Sequence, residues 1–427
     1  MKIPPYTPEE VERIEDDVIE KYRNYVNPGI ANLLKFAGFG VPEWEGEGMY
    51  VRDLAGKEYL DFVGGYGVFS LGYRNPNVVR AVEEQLNRLP QNTHYFLSQP
   101  VAELCELLAE VTPGRLQYTF LCNSGTEAVE GALKAARIFT KRHKIVSAIG
   151  AFHGKSMGSL SASGREVYKQ PFYPLVPGFS QVPFGEIEPL RAALDEDVAA
   201  VILEAVQGEA GVRVPPEDYL KQVRAACDEK GVMLILDEVR TGFGRLGSLF
   251  ASKLYGIEPD IECFGKALGG GVMPVGAFMA RTEIWEALFG ENPYLHSSTF
   301  GGNPLAAAAG LAAVRTTITE KLPERAAALG PRMLTGLQRI QEKYPNIIKE
   351  VRGKGLLAGV EFQDADVAKL VISAVGHKGV LMAYSLNNPC VVRLEPALIV
   401  KEEEIDRAVE AMATSVEEAA QALADLI

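Results

Sequence analysis

The sequence holds few cysteines and histidines, five of each in 427 residues, and they are scattered. Cys105, Cys122, Cys227, Cys263 and Cys390 are odd in number and form no C-x-x-C pair, so neither a disulfide framework nor a zinc knuckle is expected. No H-E-x-x-H or comparable ligand spacing occurs, and no metal is expected. Long apolar runs are missing too. The ten residues Leu305 to Val314 are mostly alanine and fall short of the ~20 that span a bilayer, so they read as a buried helix. Positive charge is in deficit: 43 Lys+Arg against 56 Asp+Glu give a net charge of −13, which repels polyanions and argues against nucleic acid as a partner. Glu9, Glu10, Glu12, Glu15, Asp16 and Asp17 lie where a secretory or transit peptide would be basic or apolar, which makes the cytoplasm the expected location.

What is present suggests a large core, with 47% hydrophobic residues and a length suited to two or three domains. Thr7-Pro8-Glu9-Glu10 reads as a capping box opening an amphipathic helix with Val11, Ile14, Val18 and Tyr22 on its apolar face. Met49 to Phe69 is strand-like and is interrupted by a flexible loop at Gly64-Gly65-Tyr66-Gly67. Strands at 117–122, 145–149, 198–203, 232–236, 260–264 and 275–279 then alternate with helices, which predicts an α/β fold around a mainly parallel sheet. From about Pro323 long charged helices (324–343, 366–378, 402–425) surround short strands at 356–362 and 391–394. The expected organisation is a large domain over 75–322 and a smaller α+β domain assembled from 1–74 and 323–427.

Three positions carry chemistry. Asn123-Ser124-Gly125-Thr126-Glu127 joins a strand to a helix whose apolar face is Val129, Ala132, Leu133 and Ala136. Such a turn presents unpaired N–H groups to a phosphate, although taken alone the motif reads sooner as a helix cap in which Ser124 or Thr126 only satisfies the backbone. Asp237 ends the apolar run Val232 to Leu236, which delivers a carboxylate to the ligand-binding edge of the sheet; it pairs there with a cationic ring nitrogen or caps the next turn. Lys266 follows another buried strand and precedes Gly269-Gly270-Gly271, where backbone can approach a ligand closely. A lone lysine is usually a solvated charge, but burial lowers an amine's pKa and makes it a nucleophile toward an aldehyde.

Ser124-Gly125-Thr126-Glu127-Ala128, Phe152-His153-Gly154-Lys155, Gln207 to Gly211, Asp237-Glu238-Val239, Gly265 to Gly271 and Ser298 to Pro304 follow one another as in the class III aminotransferases. The resemblance covers nearly the whole chain, and Phe152 to Ser163, Pro174 to Gly185, Lys266 to Ala277 and Leu386 to Pro396 look most like the putrescine (diamine) branch. It implies fold type I, pyridoxal 5′-phosphate (PLP) as cofactor and a homodimer. By the same likeness Gly125 and Thr126 would hold the phosphate, Phe152 would stack on the pyridine ring, Val239 would pack against the opposite face, and Ser124 and His153 would be among the residues that bind the cofactor. Asp237 would pair with the ring nitrogen, Lys266 would form the Schiff base, and Thr299 would reach the neighbouring subunit's phosphate. Arg393 would bind a substrate carboxylate, with Glu209 pairing to it when none is present. Without that likeness, Arg393 and Glu209 read as unremarkable surface charges.

Three positions depart from the family's pattern. Arg240 replaces the usual Gln, and its cation either meets the cofactor's ring oxygen or points away; Gly72-Tyr73 and Ala205 are expected to concern packing. The activity implied is transfer of an amino group from a diamine or ω-amino compound to 2-oxoglutarate or pyruvate. An aminomutase or decarboxylase of the same fold, and a PLP-binding protein without turnover, are the alternatives. Tyr66, Tyr95 and Trp44 are candidate pocket residues, although Trp44 reads more readily as part of the small-domain core.

Overall fold

The computed structural model describes residues 6–36 and 38–424. A seven-stranded sheet lies at its centre, in the order Leu116–Cys122, Gly276–Arg281, Ile261–Phe264, Met233–Asp237, Val198–Glu204, Lys144–Ala148 and Phe179–Val182. Gly276–Arg281 runs antiparallel to both its neighbours, and the other adjacent pairs are parallel. The six strands expected from sequence are all present. The seventh, Phe179–Val182, escapes the pattern because this edge strand carries Ser180 and Gln181 in place of an apolar run.

Side chains alternate across the sheet. Val201, Leu203, Leu234 and Leu236 join one core with Leu220 and Val223 of helix Tyr219–Lys230, while Ala200, Ile202, Met233 and Ile235 join another with Val129, Ala132 and Ala136 of helix Gly125–Thr140. A sheet covered on both faces explains why its central strands read as continuous apolar runs.

Two four-stranded sheets complete the fold. One contains Glu43–Glu47, Tyr50–Asp53 and Glu58–Asp61 with Val380–Leu381, which pairs in parallel through Val380 and Leu60. The other contains Ile348–Lys354, Leu357–Phe362, Asn388–Leu394 and Ala383–Ser385. Leu60 and Phe62 share a single core with Leu337, Val360, Val392 and Met412. Helices Leu322–Lys343, Ala365–His377 and Glu402–Ala424 lie within about two residues of expectation, while the charged strand Ile348–Lys354 (IKEVRGK) gives no apolar signal.

The capping box forms: Glu10 N donates to Thr7 Oγ1 at 3.3 Å and Thr7 N to Glu10 Oε2 at 2.8 Å. The helix it opens buries Val11 and Ile19, whereas Tyr22, expected on the apolar face, is exposed. Gly64–Gly67 breaks the strand-like stretch as a tight turn in which all four residues have a positive φ. Trp44 is exposed against Tyr6 and is not part of the small core. Leu305 to Val314 lies in helix Pro304–Thr319. No helix among the described residues is long and apolar enough to cross a membrane.

Candidate active site

Glu204 and Asp237 end adjacent parallel strands and stand in register, with Cys263 in register beyond them. Asp237 is buried and uses both oxygens: Oδ2 lies 2.7 Å from His153 Nδ1, and Oδ1 accepts the Val239 N–H at 3.0 Å. The carboxylate therefore caps its own turn and still has lone pairs to offer. His153 is buried as well, and its Nε2 has no partner among the described residues. Phe152 is partly buried, and its N–H donates to Glu204 Oε1 at 2.9 Å; Glu204 Oε2 accepts from Gly208 N at 3.2 Å. Burial pushes the Glu204 carboxyl up to about 7, against the opposing pull of His153. Glu204 was not singled out from the sequence, yet it ends the run Val198 to Leu203 as Asp237 ends its own.

Lys266 follows strand Ile261–Phe264 after Gly265 and has a φ of 46°, a left-handed conformation uncommon for a residue with a side chain. Burial, then the Arg240 guanidinium, lowers its pKa to about 8, with Glu395 and Glu209 opposing. The rate at which the apoprotein takes up PLP is therefore expected to climb as pH rises through about 8, where the amine loses its proton. Stopped-flow absorbance across pH 6.5–9.5 measures this (a span of ~3 units).

Ser124 caps helix Gly125–Thr140 by accepting Glu127 N at 3.3 Å. A Cβ on Gly125 would stand 2.8 Å from Val239 Cγ1, and one on Gly265 would stand 3.3 Å from the Gly125 backbone, so three motifs meet here. Gly125→Ala must push Val239, a stiff β-branched side chain, and is expected to cost about 1–3 kcal/mol and weaken PLP binding. Urea unfolding and cofactor titration would check both. Thr126 Oγ1 lies 2.7 Å from both Ser156 Oγ and Ser159 Oγ, and Glu130 Oε1 accepts from Ser156 Oγ at 2.6 Å and Gly158 N at 2.8 Å. This supporting shell joins residues 30 and 33 positions apart, which local sequence does not reveal.

Arg393 and Glu209 are buried, not surface charges as their residue types suggested. They belong to a cluster with Arg240, Arg245 and Glu395, all buried. Arg393 Nη1 is 3.1 Å from Glu209 Oε1 and its Nε 3.3 Å from Glu395 Oε2. Arg240 donates to both carboxylates, which resolves its side-chain direction: it is taken up by Glu209 and Glu395. Burial alone would push the Glu209 carboxyl up, but the Arg240 and then the Arg393 guanidinium pull it down to about 2. Glu395 and Arg245 were missed. The signal for Glu395 was its place two residues beyond Arg393, directly after the strand Asn388–Leu394, where strand alternation carried one step further would put it on the same side.

Tyr66 is half-exposed with its ring centroid 5.4 Å from the Arg393 guanidinium carbon, whereas Tyr95 is nearly fully exposed. Thr299 is exposed, its carbonyl 2.9 Å from His94 Nε2. Of the two remaining departures, Tyr73 donates to Asp61 Oδ2 at 2.8 Å and Ala205 is buried.

The strand that Asp237 ends pairs with the strand before Lys266, and Gly265 meets the Gly125 turn, so an amine, a buried carboxylate and a glycine-bearing helix N-terminus come from adjoining motifs; residues 40–416 match the family model described as Aminotransferase class-III. The chain belongs to the class III aminotransferases: it is a transaminase, and its cofactor is PLP. A putrescine aminotransferase of Pectobacterium atrosepticum is 46% identical over 415 residues, 94% of this chain and 88% of that protein. Among solved structures, an ornithine aminotransferase from Toxoplasma gondii, reported with partial occupancy of PLP, superposes with a TM-score of 0.88 at 32% identity, covering 97% of this chain and 99% of that one. An (S)-enantioselective omega-transaminase from Thermomicrobium roseum gives 0.88 at 32%, covering 95% and 98%. The donor set fits the cofactor. Asp237 has no guanidinium or ammonium partner among its hydrogen bonds, as a carboxylate awaiting a protonated ring nitrogen requires.

Proposed function

We propose that the chain transfers the amino group of putrescine, or of a related diamine or ω-amino compound, to 2-oxoglutarate or pyruvate. The observation that carries this reading is the buried Arg393 cluster close to Lys266, in a chain 46% identical to a putrescine aminotransferase. Bound PLP supplies an aldehyde to carry the amino group and a pyridine ring to take up the electron pair left when the substrate C–H proton departs.

The chain's own residues do the rest. Lys266 Nζ, its pKa lowered to about 8, accepts the proton from the substrate carbon and later returns one. Asp237 keeps the ring nitrogen protonated, and His153 and Val239 N hold that carboxylate in place. Ser124, Gly125 and Thr126 offer the helix N-terminus to the phosphate. Phe152 and Val239 would pack on the ring, and Arg393 would seat the oxo acid's carboxylate with Glu209 as its counter-charge.

Tyr95, Phe96 and Leu97 are all more than four-fifths exposed, next to His94, which contacts Thr299. So large an apolar surface supports a homodimer in which Thr299 completes the partner's phosphate site. The shared core of early and late residues supports a small domain of 1–74 and 323–427 around a large one of 75–322. Free cysteines among the described residues suit the cytoplasm.

A panel of amine donors with 2-oxoglutarate and pyruvate as acceptors tests the reading. Turnover of putrescine that depends on an oxo acid is expected; turnover without one would point to a mutase or decarboxylase. Arg393→Ala is expected to raise the KM for 2-oxoglutarate about 10–100-fold, the worth of charge-assisted hydrogen bonds of ~1.5–3 kcal/mol, and to slow the amine half-reaction much less. Single-turnover rates for each half measure the split. Equal slowing of both would mean that Arg393 supports the fold or the cofactor instead.

A further inference from the structure

Arg240 crosses Gly208, where a Cβ would collide with its Cδ and Nε. Its two terminal nitrogens serve two carboxylates, Nη2 donating to Glu209 Oε1 and Nη1 to Glu395 Oε2. Glu209 Oε2 accepts the Leu386 N–H at 2.9 Å. Glu209 is thus held at both oxygens by partners other than Arg393. Arg393 Nη1 approaches Glu209 without hydrogen-bond alignment, and Arg393 Nη1 and Nη2 are both buried with no acceptor among the described residues. Three guanidiniums (Arg240, Arg245, Arg393) face two carboxylates (Glu209, Glu395); Arg240 spends its terminal nitrogens on the carboxylates and Arg245 on Leu356 O, Pro396 O and Ser70 Oγ, which leaves Arg393 as the one with both terminal nitrogens unused.

We propose that Arg240 is a positioning residue that clamps Glu209 and Glu395 and so keeps Arg393 open to a substrate carboxylate without any swing of Glu209. This rests on Arg393 as the carboxylate seat and deepens that reading. Glu209 is then a fixed counter-charge, and the favoured partner molecule carries a carboxylate remote from its reacting carbon, as a dicarboxylic oxo acid does. Tyr66, over the Arg393 guanidinium and half-exposed, is the side chain that gives way. In Arg240→Gln the only guanidinium left for Glu209 is Arg393, whose donors are then occupied before substrate arrives.

The test is the Kd of glutarate, an unreactive dicarboxylate, for the PLP-loaded enzyme by calorimetry, together with the kinetics of 2-oxoglutarate. Arg240→Gln is expected to weaken glutarate about tenfold and to raise the KM for 2-oxoglutarate by a like factor. Adding Glu209→Gln to Arg240→Gln frees Arg393 again and should return the Kd to within about threefold of the parent. A merely structural role for Arg240 predicts no such rescue. Arg240→Lys, which keeps a cation but loses the two-pronged grip, should fall between and guards against misfolding of the Gln variant. Glutarate binding that is unchanged in Arg240→Gln but lost in Arg393→Ala would overturn the clamp alone, as would a double variant no tighter than the single. Unchanged binding in Arg393→Ala would overturn the seat and the clamp together.

Discussion

Lys266→Ala is expected to lower turnover by at least about 10⁴-fold, because in the proposed mechanism this residue is both the cofactor's attachment and the group that moves the substrate proton. The protein should stay folded. The parent amine has a pKa of about 8 in place of its ordinary 10.5, so between those values the unfolded chain binds more protons and stability rises with pH. The cost of holding that lysine is fully present below pH 8 and gone above 10.5. Apo Lys266→Ala should therefore be more resistant to urea than the apo parent at pH 7, with the gap closing as pH climbs through that window. A variant that lost activity by unfolding would show the opposite order at pH 7.

Asp237→Asn is expected to lower kcat by roughly 10²–10³-fold, since a neutral amide no longer keeps the pyridine nitrogen protonated. PLP should still bind through the Gly125 turn. Asp237→Ala should match it in rate and differ in stability. The Ala variant leaves His153 Nδ1 and the Val239 N–H without their acceptor, at a cost of about 1–3 kcal/mol for each. Asn retains one acceptor oxygen and should lose about half of that. Steady-state rates with urea midpoints separate the two effects, and full activity in either variant would mean that another group pairs with the ring.

Asp237 and Lys266 were legible because each interrupts or follows a buried strand, where an ionisable group has few structural reasons to sit. The same logic applied to Glu204 and went unused; only the register with Asp237 makes its position plain. The charge cluster was half-legible. Family likeness pointed to Arg393 and Glu209, but Arg240 lies 31 residues from Glu209 and 155 from Glu395, and nothing local announces that these three meet. In the fold, apolar runs located the covered strands, whereas Phe179–Val182 and Ile348–Lys354 are specified by the neighbours they pair with rather than by their own composition. Trp44 shows the converse. A large aromatic reads as core, yet here it rests on Tyr6 at the surface.

The central claim is that Lys266 carries the cofactor, and borohydride reduction of the PLP-loaded enzyme followed by peptide mapping tests it directly. The account predicts a single pyridoxyl label, on the peptide containing Lys266, and none in Lys266→Ala. A label on any other lysine, Lys155 or Lys169 for example, would contradict it.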